Sequence, residues 1–281
     1  MRPIRTIAIL PTLFTLGNLV CGFFAIVVAS RVVPLKWDDS VVPAVLVGGQ
    51  NDQYNCMLSA VLIFLAMVFD GLDGYVARLS RTATDFGAEL DSLCDMVTFG
   101  VAPAFLLVKM CPVFAYLHRD ASWVIAASYA ACAAIRLARF NVETSDEDEH
   151  LNFNGLPSPA AAASIASFAI MFYTLRQNAD PIAFHEGIDR VLQTILPFFG
   201  VAVALLMVSR IPYPHVVNQV FRGQRSFAHL VGVIFTFVAI MVIPSFSIPI
   251  VCSAFVIYGP ARYGYLKIVE RRHQQEEEPL F

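Results

Sequence analysis

Apolar residues fill this chain in long runs, and polar positions gather in the gaps between them. Runs approaching the ~20 residues that cross a bilayer's hydrocarbon core recur at about 8–30, 55–76, 91–111, 122–143, 157–175, 190–209, 227–244 and 247–267. The pattern predicts an all-α, polytopic membrane bundle of eight transmembrane helices. Only a short turn, at the Ile243–Pro249 joint, separates the last two. The first run follows Arg2 and Arg5 but is too long for a signal peptide. It also lacks a small-x-small cleavage site, so a retained first helix is expected.

No internal repeat divides the chain. One integral membrane domain is expected over 1–270, followed by a charged cytoplasmic tail, 271–281, that reads RRHQQEEEPLF. The stretch Glu143–His150, ETSDEDEH, reads as a solvated acidic loop. Composition agrees with the spans: 57% of residues are hydrophobic, 15% are charged and the mean hydropathy is +0.65. A net charge of −3 gives no reason to expect a nucleic-acid partner. The six cysteines lie in or beside apolar runs without a CxxC pair, as small buried hydrophobes rather than a disulfide or zinc framework. The six histidines form no HxxxH pair. With eight spans, 13 Lys and Arg fall on the side of both termini and 6 on the other. The positive-inside rule therefore places the termini and the loop after the second span in the cytoplasm of a cell (inner) membrane protein.

Candidate chemistry interrupts the second and third spans. Asp70, Asp73, Asp91 and Asp95 stand in otherwise apolar sequence, where an ionised carboxylate costs about 2.5–3.5 kcal/mol on insertion scales. Asp70, Asp73, Gly74, Ala77 and Arg78 share one helical face, and Gly87, Asp91 and Asp95 another. A connection of about ten residues, Leu79 to Ala88, allows the two helices to pack antiparallel with these faces together. Four carboxylates without His or Cys make a hard, all-oxygen site that favours magnesium, manganese or calcium over zinc. Two ions about 3.5–4 Å apart fit such a set. Gly74, Ala77 and Gly87 leave the backbone open to a bulky substrate, and Arg78 is placed for a phosphate. Asp85 and Glu89 read as loop or helix-entry charges.

These residues fit D-x-x-D-G-x-x-A-R-x8-G-x3-D-x3-D without departure, so the chain resembles the CDP-alcohol phosphotransferase family. The resemblance implies a helical membrane enzyme, usually a homodimer, that uses two divalent cations (Mg2+ or Mn2+) and a CDP-linked donor, with CMP leaving. It implies Asp70, Asp73 and Asp91 as metal ligands, with Asp95 completing the second metal site and serving as general base. Gly74, Ala77, Arg78 and Gly87 would bind the CDP donor. The segments PTLFTLGNLVCGFFAI, IRLARFNVE, FNGLPSPAAA and LMVSRIPYP are similar to the membrane-embedded phosphatidylserine synthases of that family. That likeness implies CDP-diacylglycerol and L-serine as substrates, taken from membrane lipid and from water.

A serine acceptor brings a carboxylate, and a bidentate arginine suits it. Arg136 and Arg139 stand at i, i+3 within an apolar run, with Asn141 close behind. Asn18, inside the first span, either faces a substrate or makes an interhelical hydrogen bond. Ser158 reads as the start of a helix, and Arg210 as a phosphate contact or an interface anchor. Two rivals stand beside this reading. One keeps the chemistry with another acceptor, such as glycerol phosphate, inositol or choline. The other is a divalent-cation transporter whose path the aspartates line.

Overall fold

The computed structural model describes residues 9–32, 50–80, 84–143, 152–177, 183–214 and 227–277. The apolar runs become α1 (Ile9–Ser30), α2 (Gln50–Ser80), α3 (Asp85–Asp95), α4 (Ala102–Met110), α5 (Pro112–Leu117), α6 (Arg119–Glu143), α7 (Ser158–Gln177), α8 (Ala183–Val208), α9 (Phe227–Val242) and α10 (Pro244–Glu277). A π-helical turn, Met96–Val101, joins α3 to α4, so that Phe86–Met110 makes a single crossing. Two three-residue strands, β1 (Asn152–Asn154) and β2 (Pro212–Pro214), pair antiparallel with Phe153 opposite Tyr213.

Among the described residues seven helices are long and apolar enough to cross a membrane. The seventh of the expected spans, 227–244, is shorter than the others among the described residues. There α9 has 16 residues, about 24 Å of helix against a hydrocarbon core of about 30 Å. The chain still passes from one end of the bundle to the other in this region. β2 follows the C-terminus of α8 and pairs with β1, which leads into α7. Ser245, at the start of α10, instead meets Thr174 near the far end of α7, 2.6 Å between hydroxyl oxygens. From there α10 returns along α7 and continues as helix through Arg271–Glu277, into the stretch expected as a tail.

The core sits on α7 and the α3–α4 crossing, each 67% buried, against 17% for α10. Ala161, Ala162, Ala166 and Ala169 are fully buried along α7, and such small side chains let neighbouring backbones approach closely. Large apolar side chains such as Phe23, Leu72 and Ile257 face outward instead, where acyl chains are the natural contact. The tightest approach joins α1 to the π-helical turn. A Cβ on Gly22 would overlap Thr98, whose hydroxyl donates to the Asn18 carbonyl (3.2 Å). Glycine at 22 therefore allows Asn18 to lie directly against the end of α3.

Candidate active site

The chain reaches the site from three helices. α2 carries Asp70 and Asp73 near its C-terminal end. Thr84 starts α3, its hydroxyl accepting from the Gly87 amide (3.1 Å) as an N-cap, which puts Asp91 and Asp95 on successive turns. α1 packs against both. The result is convergence: one carboxylate oxygen from each of Asp70, Asp91 and Asp95 lies within 4.8 Å of the others. Asp73 is buried beside them next to Thr15, whose own hydroxyl donates to the Pro11 carbonyl (3.1 Å).

Hydrogen bonding is sparse where carboxylates ordinarily demand it. Asp73 Oδ2 and Asp91 Oδ1 are buried without a donor. Asp95 Oδ1 accepts from Asn18 Nδ2 (3.0 Å), while Asn18 Oδ1, on a fully buried residue, has no partner. Buried anionic oxygens in this number and spacing repel one another and lack hydration. An all-oxygen set of this kind fits divalent cations of the magnesium or manganese type.

The other predicted residues divide between site and scaffold. Gly74 is partly buried on α2. Ala77 and Arg78 continue that helix, and their side chains lie outside the described residues, as does that of Asp85. A Cβ on Gly87 would meet only the Thr84 hydroxyl, at 3.1 Å, so this face of α3 is open. Arg136 is 9% exposed and close enough to Asp95 and Asp70 to interact electrostatically, yet among the described residues it forms no ion pair with either. Its Nη1 donates instead to the Ser158 hydroxyl (2.7 Å), and its guanidinium lies 5.9 Å from the centre of the Phe140 ring. Arg139 turns elsewhere: it donates to the Val208 carbonyl (3.0 Å) and the Ser209 carbonyl (3.5 Å), closing the C-terminus of α8. Asn141 accepts from the Ser92 hydroxyl (3.1 Å) one residue from Asp91. Arg210 is exposed just beyond α8.

Sequence reasoning passed over Ser158 as ordinary helix punctuation. The only available signal was indirect, since a buried arginine needs acceptors and no spacing rule links positions 136 and 158. It also passed over Thr98 and Ser92, hydroxyls in apolar helices whose partners lie 80 and 49 residues away.

Comparison with known proteins agrees with this arrangement. The CDP-diacylglycerol–serine O-phosphatidyltransferase of Methanocaldococcus jannaschii is 33% identical over 202 residues, 72% of this chain and 82% of that protein. The Helicobacter pylori protein of the same name is 27% identical over 270 residues, 95% of both chains, and so includes the C-terminal helices. The archaetidylserine synthase of Methanothermobacter thermautotrophicus is 36% identical over 161 residues, 56% of this chain and 58% of that protein. Residues 8–208, which hold every residue of the site, match the CDP-alcohol phosphatidyltransferase family, and the chain belongs to that family.

Proposed function

We propose that this multi-pass membrane enzyme transfers the phosphatidyl group of CDP-diacylglycerol to the hydroxyl of L-serine, releasing CMP. The observation that carries the reading is the pairing of the converging carboxylates with Arg136, a buried cation held beside them without an ion pair. The names of the relatives supply the acceptor. Family membership speaks against the cation-transporter reading.

Asp70, Asp73, Asp91 and Asp95 would hold two divalent cations, magnesium or manganese, which would supply charge neutralisation at the diphosphate and at the CMP leaving group. Gly74, Ala77 and Gly87 admit the CDP moiety close to the helix backbones, and Arg78 contacts its phosphate. Arg136 binds the serine carboxylate, a bidentate match for a guanidinium, and Arg139 supports that wall by closing α8. Asn18 orients Asp95 through its amide. Asp95 takes the proton of the serine hydroxyl as the oxygen attacks the phosphorus bearing diacylglycerol and the bond from that phosphorus to the CMP oxygen breaks. Direct attack requires no covalent enzyme intermediate. The site faces the cytoplasm of the inner membrane, residues 1–270 form the membrane domain, 271–281 extend from it, and the enzyme works as a homodimer.

Purified enzyme with CDP-diacylglycerol and manganese or magnesium tests the acceptor. CMP release that depends on L-serine, with phosphatidylserine as product, is the expected result. Release stimulated by inositol, choline or glycerol phosphate but not by serine would overturn the assignment of acceptor.

A further inference from the structure

The two C-terminal helices lie outside the matched family region, 8–208, yet α10 is joined to the site by a chain of specific contacts. The first is a repair in α10 itself. In a regular helix the Val256 carbonyl accepts from the amide of residue 260, but that residue is proline and has no N–H. The Tyr213 hydroxyl donates to this carbonyl instead (2.9 Å). Gly259 makes the socket, because a Cβ there would run into the Tyr213 ring, and Phe255 packs against the same ring at 5.7 Å between ring centres. Tyr213 is fully buried. Burial pushes its phenol up to about 12, so the donor keeps its proton.

From Tyr213 the contacts lead inward. Tyr213 stands opposite Phe153 in the β1–β2 ribbon. β1 runs into Gly155, at φ 91°, where a side chain would crowd the Ser209 carbonyl at 2.9 Å. The Gly155 amide donates to the Ile211 carbonyl and the Leu156 amide to the Leu206 carbonyl, both at 3.0 Å. Two residues after Leu156 comes Ser158, fully buried, which holds Arg136 at 2.7 Å.

We infer that α10 positions Arg136 through Tyr213, the β1–β2 ribbon and Ser158, so that a helix remote from the reacting atoms sets the affinity for the acceptor. The inference rests on the reading of Arg136 as the serine-carboxylate site. Tyr213 and Ser158 are positioning residues in this scheme.

Full-length Tyr213→Phe, Gly259→Val, Ser158→Ala, Ser158→Thr and Arg136→Ala test it by steady-state kinetics with both substrates varied. Tyr213→Phe keeps the ring and loses only the hydrogen bond, and it remains informative if Gly259→Val fails to fold. Tyr213→Phe and Ser158→Ala are each expected to raise the serine KM about fivefold, the scale of one lost hydrogen bond. The KM for CDP-diacylglycerol stays within twofold of the parent, Ser158→Thr restores the serine KM, and the Tyr213→Phe/Ser158→Ala double variant is no worse than the poorer single. An unchanged serine KM in Tyr213→Phe, additive losses in the double variant, or parallel rises in both KM values would overturn the inference. If Arg136→Ala itself leaves the serine KM unchanged, the acceptor reading fails. If Arg136→Ala raises it and Tyr213→Phe does not, only the positioning role fails.

Discussion

Both ends of the helical bundle bury charge, and they treat it in opposite ways. At the end away from the aspartates, Asp189 uses both oxygens: Oδ1 accepts from Arg176 Nε (2.9 Å) and Oδ2 from Gln193 Nε2 (2.6 Å). Gln193 Oε1 in turn accepts from the Val113 amide (3.1 Å), and the Arg176 guanidinium lies 4.6 Å from the centre of the Phe172 ring. Nearby, Lys109 donates to the Val32 carbonyl at the end of α1 (2.9 Å). This network ties α5, α7 and α8 together, and among its described, fully buried side-chain atoms only Arg176 Nη2 lacks a partner. At the other end, carboxylates converge with Asp73 Oδ2 and Asp91 Oδ1 lacking donors, and the nearest buried arginine bonds to a serine. A charge that is neutralised within the fold is a staple; one left without a counter-charge at similar burial is disposed to meet ions and substrates.

The largest effect expected from this contrast is catalytic. Asp91→Asn removes one charge from the converging set and should lower serine-dependent CMP release by about a thousandfold or more, the scale of deleting a group that stabilises a transition state. Its melting temperature in chelator should hold or rise, because one of several mutually repelling carboxylates has been neutralised. A melting loss as large as the activity loss is deep would place Asp91 in the scaffold and erase the contrast.

Asp189→Leu should do the reverse. It strands the Arg176 charge and one Gln193 donor in the bundle, which costs about 3–5 kcal/mol of stability for a broken buried pair. Activity per folded molecule should stay near that of the parent. The Arg176→Leu/Asp189→Leu double variant should recover most of the loss, since no unpaired charge remains. Thermal melts in detergent, read beside CMP release, measure both quantities.

Much of the open end was legible in the sequence, and the closed end was not. Aspartates within an apolar run stand out because the bilayer penalises each one, so their spacing alone brought four positions onto two helical faces. Asp189 and Arg176 sit towards the ends of their helices, where polar residues are ordinary, Gln193 lies one turn further into α8, and nothing in the order of residues tells a staple from a solvated face. The arginine pair shows the same limit. Arg136 and Arg139 share a helix and a spacing, but one bonds Ser158 beside the carboxylates and the other bonds the carbonyls at the end of α8, a division decided by which neighbour each meets. The π-helical turn was equally hidden, since no motif in Met96–Val101 announces an i→i+5 bond. The seventh passage was foreseen, though not the shortness of its helix.

Gly22 provides the next test, because it lies where scaffold and site touch. Gly22→Ala must push the π-helical turn away from α1, against the Thr98 backbone, and overpacking of this kind costs about 1–3 kcal/mol. The same shift loosens the Asn18–Asp95 hydrogen bond, so activity per folded molecule should also fall, by roughly tenfold if the loss approaches 1.4 kcal/mol in the transition state. Gly17→Ala is the control on the same helix. Its added Cβ would meet only the edge of the Phe69 ring at 3.3 Å, and both effects should be smaller. Equal losses in the two variants would separate the tight approach at Gly22 from the geometry of Asp95.

The smallest effect expected divides the two arginines. Arg139→Lys keeps a cation at the end of α8 but loses the fork that reaches two carbonyls, and should lower stability by about 1 kcal/mol with the serine KM unchanged. Arg136→Lys keeps a cation beside the carboxylates but cannot grip a carboxylate bidentately while bonding Ser158, and should raise the serine KM by about tenfold with little change in melting. The pair is informative because the substitutions are chemically identical and the positions lie one turn apart. If both variants move the same quantity, the two arginines serve one purpose, and the division between a held charge and an offered one fails at its narrowest point.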